Sequence, residues 1–80
     1  MSNSNFEKQI TSIVSEIVGV SEAELDPNAS FIDDLGLDSL RALEVLAAIE
    51  NEFSITINPE RLQEMTTLNN VIGVTREYLD

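Results

Sequence analysis

Apolar residues recur at three- and four-residue intervals near the start of the chain: Phe6, Ile10, Ile13, Val14, Ile17 and Val18. That spacing places them on one stripe of an α-helix. Ser4 followed by Glu7 matches a capping box that would start the helix, and Gly19 is a natural stop. Positions 19–37 lose the period. They hold Ser21-Glu22-Ala23-Glu24, which reads as a short capped turn, the turn signal Asp26-Pro27-Asn28, and a cap-like start at Ser30-Phe31-Ile32-Asp33. A connection this long in a small domain is either functional or pinned by its own apolar residues. Phe31, Ile32, Leu35 and Leu37 are the expected pins.

A second helix is predicted from about Ser39 to Phe53, with Asp38 as its cap. Its interior is rich in Leu, Ala and Glu, all strong helix formers. At 100° per residue, Ala42, Val45, Leu46, Ile49 and Phe53 fall on one arc and are expected to face the core. Leu40, Leu43 and Ala47 fall on another arc, flanked by Glu44, Glu50 and Asn51. A helix that needed only a core stripe would not carry that second apolar patch.

Ile55-Thr56-Ile57 alternates like a strand but is too short to build a sheet. Asn58-Pro59-Glu60 then supplies a cap residue, a proline at the first helical position and an acid at the positive helix end. The third helix is short, residues 59–65. A fourth, residues 68–79, is capped by Thr67 and has Leu68, Val71, Ile72, Tyr78 and Leu79 as apolar positions, with Gly73 costing about 1 kcal/mol inside it. The expected fold is all-α: one domain over residues 1–80, a small bundle of three longer helices and one short helix, with a long loop between the first two.

Composition narrows the chemistry. The chain has no cysteine and no histidine, which removes disulfides, Ser-His and Cys-His catalysis and most zinc sites. Eighty residues bury roughly 60% of the unfolded surface, so the core is modest. Fifteen carboxylates face four basic residues, a net charge of −11, and Arg41 is the one basic side chain from Glu16 to Glu60. Such a surface repels nucleic acid and anionic lipid and favours basic partner proteins, although the same charge also serves plain solubility. The polar N-terminus and the absence of a long apolar run give no signal core or membrane span, so a cytoplasmic protein is expected; it is also expected to be a monomer.

The candidate site is Asp33-Asp34-Leu35-Gly36-Leu37-Asp38-Ser39-Leu40. Ser39 stands at the mouth of the second helix, where amides without internal partners carry partial positive charge, a place suited to a phosphate ester. The plainer reading is that Asp38 or Ser39 only caps the helix. Two features argue for more: aspartates cluster around one serine with no nearby basic partner, and the extra apolar patch begins at Leu40, beside it.

The run Leu35-Gly36-Leu37-Asp38-Ser39-Leu40 resembles the attachment motif of acyl carrier proteins, whose core is Asp-Ser-Leu. Leu43-Glu44 and Ile49-Glu50-Asn51-Glu52-Phe53 look like that family's second helix, Ile55-Thr56-Ile57-Asn58-Pro59-Glu60 like the approach to its short third, and Met65-Thr66-Thr67-Leu68 like the entry to its fourth. The resemblance spans nearly the whole chain. It implies a non-catalytic carrier. Ser39 would receive 4′-phosphopantetheine from coenzyme A through a phosphopantetheinyl transferase, and the arm's thiol would hold an acyl group as a thioester for fatty-acid, lipid or polyketide enzymes. It further implies that Asp38, Glu44 and Glu50 meet basic docking patches, with Leu40, Leu43 and Ala47 as the apolar centre. Val45, Ile49, Ile57, Leu62 and Met65 would line an acyl cavity, although each also reads as ordinary core. Arg41 and Asn51 depart from the family's usual residues and leave a specialised carrier open.

Other readings remain beside this one. An aminoacyl or peptidyl carrier shares the fold but more often has Gly-Gly-x-Ser at its serine. A calcium-binding loop would fit the twelve residues from Asp33 to Glu44 in length, but Leu35, Leu37 and Asp38 occupy positions where it needs oxygen ligands and glycine, so no metal site is expected. A helical interaction domain with no modification is the third.

Overall fold

The computed structural model describes residues 3–79: helices α1 (Asn3–Val18), α2 (Ser39–Phe53) and α3 (Leu68–Leu79), a 3₁₀ turn at Glu22–Glu24 and a 3₁₀ helix at Pro59–Glu64. No strand occurs among the described residues. The all-α bundle expected from the periodicity is therefore the fold.

Helix α1 starts at Asn3, one residue ahead of the expected cap. The side chain of Ser4 lies outside the described residues, and the capping box with it. Ile10 and Val14 are fully buried, and Phe6, Ile13, Ile17 and Val18 pack half-buried around them. Gly19 ends the helix at φ 78°, its amide donating to the Ser15 carbonyl at 2.9 Å. This is the left-handed cap for which glycine is suited.

The connection to α2 is built from small hydrogen-bonded turns. Ser21 precedes the 3₁₀ turn, but its side chain makes no capping bond. Asp26 Oδ1 accepts the Asn28 amide at 2.9 Å. Ser30 Oγ accepts the Asp33 amide at 3.1 Å, while Asp34 Oδ2 accepts the Ser30 amide at 2.8 Å, a reciprocal closure of a single turn. Phe31 and Leu37 are buried and Leu35 half-buried, as expected of pins. Ile32 is not a pin: it is 57% exposed. The turn starting at Ser30 puts residues 31 and 35 on one side and sends 32 outward. Leu25 is a buried anchor that turn signals alone did not reveal. The loop is tied to the entry of α3: the Phe31 amide donates to Thr66 O (2.9 Å), the Asn69 amide to Pro27 O (3.1 Å), and Asn69 Nδ2 to Asn28 Oδ1 (2.8 Å).

Helix α2 has the predicted bounds. Val45, Leu46 and Ile49 are buried, with Ala42 and Phe53 half-buried beside them. Phe53 meets Phe6 edge to face, ring centroids 6.1 Å apart, joining the end of α2 to the start of α1. Ser54, at φ 56°, supplies the left-handed stop.

The expected third helix is a 3₁₀ helix. Asn58 caps it by accepting the Glu60 amide at 2.9 Å, and six residues starting at proline leave little room for α-type bonding. Arg61 bonds both Glu64 and Glu77 at 2.9 Å, and Tyr78 Oη accepts the Asn58 amide at 3.1 Å. These contacts hold the short helix against α3. In α3, Thr67 Oγ1 accepts the Asn70 amide at 3.1 Å, as a cap should. Leu68 and Val71 are buried, and Ile72 and Tyr78 are half-buried. Leu79 is exposed, and the core is completed instead by Val74 and Thr75. The Thr75 hydroxyl is fully buried and has no hydrogen-bond partner among the described residues.

Candidate functional site at the start of helix α2

Leu37 is drawn into the core and its amide donates to the Phe31 carbonyl at 2.9 Å, which fixes the chain just before α2. Gly36 takes φ 71°, where a β-carbon would be strained, and so lets the backbone reverse between half-buried Leu35 and buried Leu37. Asp38 follows in extended conformation, and its Oδ1 accepts the Arg41 amide at 3.0 Å.

This settles which residue caps the helix. Asp38 does so, and Ser39, the first residue of α2, has an exposed side chain with no protein hydrogen bond among the described residues. A serine relieved of the capping duty and open to solvent is available for chemistry. The amides of Ser39 and Leu40 have no acceptor within the helix, so an anionic ester on the Ser39 oxygen would meet donors. The neighbouring Asp38 carboxylate opposes that attraction. Arg41 lies two residues on, a basic neighbour that the expectation of no nearby basic partner overlooked, but its guanidinium is turned to the Ile17 carbonyl and toward Glu44.

Leu40 is 70% exposed and Leu43 45% exposed, and Ala47 is also at the surface. With spacings of three and four they form a continuous apolar strip running down α2 from the serine. Glu44 rims the strip, its carboxylate 3.7 Å from Arg41 Nε. Glu50 does not stand free in the same way. It is half-buried, and its Oε2 accepts the Ile57 amide at 2.8 Å. The structure thus groups Asp38, Leu40, Leu43, Glu44 and Ala47 on the exposed side of α2 and turns Glu50 toward the connection that follows.

Val45, Ile49, Ile57 and Met65 are buried in the same apolar core, with half-buried Leu62 packed against it. They converge from α2, the connection and the 3₁₀ helix. The carboxylates of Asp33 and Asp34 do not gather around a cation position: Asp34 is engaged with the Ser30 amide, and residues 39–44 are helix where a twelve-residue calcium loop would need loop. No group of three or more metal-ligating side chains occurs among the described residues, nor is any of their helices long and apolar enough to cross a membrane.

Sequence reasoning missed the role of Arg41. Its Nη1 donates to the carbonyl of Ile17 at 2.5 Å, joining the start of α2 to the end of α1. The 24-residue separation left no local signal. Between these two ends lies an open recess of about 250 Å³, lined by Val18, Leu35, Gly36, Leu37, Asp38 and Arg41.

The model of the family described as "Phosphopantetheine attachment site" matches residues 8–74. A chain of the solved structure described as "The ishigamide ketosynthase/chain length factor" is 33% identical, with 91% of this chain and 92% of that one covered and a TM-score of 0.74. A Mycobacterium tuberculosis protein described as an acyl carrier protein (Rv0033) is 27% identical over 89% of this chain and 95% of its own, with a TM-score of 0.78. The apo doublet acyl carrier protein from prodigiosin biosynthesis shares the fold at a TM-score of 0.78 and 17% identity, over 94% of this chain and 36% of that one.

Proposed function

The chain belongs to the phosphopantetheine attachment site family, the acyl carrier proteins, and from that membership we propose that Ser39 is the residue to which its 4′-phosphopantetheine is joined. The observation that carries this reading is the division of labour at the start of α2: Asp38 caps the helix and the adjacent Ser39 hydroxyl is exposed and uncommitted.

A carrier of this type is not itself catalytic. Bound to the serine, the group supplies a flexible thiol that holds acyl chains as thioesters. The chain's own residues do the rest. The Ser39 oxygen displaces adenosine bisphosphate from the pantetheine phosphate of coenzyme A, and its proton passes to a base of the phosphopantetheinyl transferase. The anionic surface, net −11, draws in enzymes with basic docking patches. Leu40, Leu43 and Ala47 give such an enzyme an apolar centre, with Asp38 and Glu44 at its rim. Val45, Ile49, Ile57, Leu62 and Met65 are the side chains that would part to shelter a loaded acyl chain. The 33% likeness to a chain described with a ketosynthase/chain length factor supports service to chain-extending enzymes of the polyketide kind.

The test is to incubate the protein with coenzyme A and a phosphopantetheinyl transferase and to weigh it intact. Addition of one arm to the wild type and none to Ser39→Ala is expected. An arm on Ser39→Ala would move the site elsewhere.

A further inference from the structure

Thr75 is the one polar side chain buried among the described residues. It is fully covered, and its Oγ1 has no hydrogen-bond partner among them. A threonine inside a helix has a ready acceptor in the carbonyl four residues back. Thr11 in α1 uses it, donating to Glu7 O at 2.9 Å. Thr75 does not use the equivalent carbonyl of Val71. An interior hydroxyl left unpaired costs stability that a valine at the same place would not. The residue is therefore ready for a partner that comes from outside the chain.

Its position narrows what that partner is. Val71, one turn earlier on the same side of α3, belongs to the core that also holds Val45, Ile49, Ile57 and Met65. Beside Thr75, Arg76 pairs with Glu7 and Tyr78 Oη accepts the Asn58 amide, while Phe6 meets Phe53. The hydroxyl thus lies at the end of the bundle where α1 starts and α2 stops. Ser39 lies at the other end, where Arg41 is bonded to Ile17 O. Glu7 and Ile17 are ten residues apart on α1, about 15 Å.

We propose that Thr75 is a recognition point at the deep end of the acyl chamber, and that the cargo it fits is an acyl chain with a keto or hydroxyl oxygen near its far end. The inference rests on the reading that Ser39 carries the arm and that the core parts for the acyl chain. A chain entering from the Ser39 end passes among Val45, Ile49, Ile57 and Met65 and brings its distal carbons to α3 at Thr75. A plain hydrocarbon leaves the hydroxyl unpaired. A distal oxygen accepts its proton in a hydrogen bond, with no water inside the core to compete for it. Discrimination between the two cargoes then comes from pairing alone, the kind of contact that rejects an analogue lacking the oxygen.

The experiment uses the full chain loaded through a phosphopantetheinyl transferase with an octanoyl arm, or with the same acyl chain bearing a ketone one carbon from its end. Intact mass checks that loading is complete. The readout is the rise in thermal midpoint over the protein carrying the unloaded arm, so that any effect of a substitution on the protein alone drops out. Both chains are expected to raise the midpoint, the ketone by about 4 °C more. In Thr75→Val the order is expected to reverse. In Thr75→Ser, which keeps the hydroxyl, it is expected to stand. Equal rises in the wild type, or a ketone preference that survives in Thr75→Val, would overturn the proposal. No rise from either chain would place the cargo outside the core and overturn it too, with Ser39 still the attachment residue. Failure of the arm to join Ser39 at all would overturn the carrier site and this inference together.

Discussion

Glu50 accepts the backbone amide of Ile57 through Oε2 at 2.8 Å, so an acid that the helical wheel places beside the exposed strip serves the interior instead. The bond closes the turn between α2 and the 3₁₀ helix just where Ile57 enters the core. Replacing Glu50 by Ala removes a charge-assisted bond and leaves a part-buried amide without that partner. A loss of about 1.5–3 kcal/mol is expected, read as a lower urea midpoint with an unchanged slope. A midpoint equal to wild type would mean that water replaces the carboxylate at no cost.

Glu44 is the contrasting case, exposed and beside Leu43. Its change to Lys is expected to leave the thermal midpoint within a few degrees of wild type and to slow acyl transfer by partner enzymes several-fold at low salt. The deficit should shrink as salt is added, because the attraction is screened within about 10 Å at 0.1 M. Equal rates at low salt would take Glu44 off the docking face.

The comparison of these two glutamates shows how far the sequence carries. The period of the apolar residues in α2 and the Asp38-Ser39 boundary were legible because both are local: propensity, capping and spacing act within a few residues. The inward turn of Glu50 was not, because its partner is an amide in a connection without a period. The exposure of Ile32 and Leu79 escaped for a related reason. Hydrophobicity says that a residue favours burial, while the tertiary arrangement, such as the turn at Ser30, decides whether a neighbour is there to bury it. Thr75 carries the converse lesson, since a hydroxyl-bearing residue lies beside Val74 on the buried arc of α3.

Thr75 offers a test of that packing. Its hydroxyl is buried with no partner among the described residues, so Thr75→Val exchanges an unsatisfied polar atom for a methyl group of similar size. A gain of about 1 kcal/mol is expected, seen as a rise of roughly 4–8 °C in the thermal midpoint of a domain this small. A fall would show that the hydroxyl is paired in solution.

The Arg61 hydrogen bond holds the Glu77 carboxyl below its ordinary value of 4.5, the close charge adding to the effect. A carboxyl depressed by folding contributes stability that is complete above its unfolded value and fades as pH falls through the folded value. The wild type's advantage over Glu77→Gln is therefore expected to be constant near neutrality and to shrink below about pH 4.5. Because both proteins share every other acid, the difference between their denaturation midpoints at each pH isolates the pair. An advantage that grows on acidification would refute the linkage.

The loop ahead of Ser39 is stitched to the entry of α3, with Asn28 and Asn69 joined across 41 residues and Phe31 bonded to Thr66. Long-range closures of this kind form late when a chain folds, since their ordering entropy comes before their reward. During synthesis, the serine's surroundings take their final shape only after residues 66–69 have emerged.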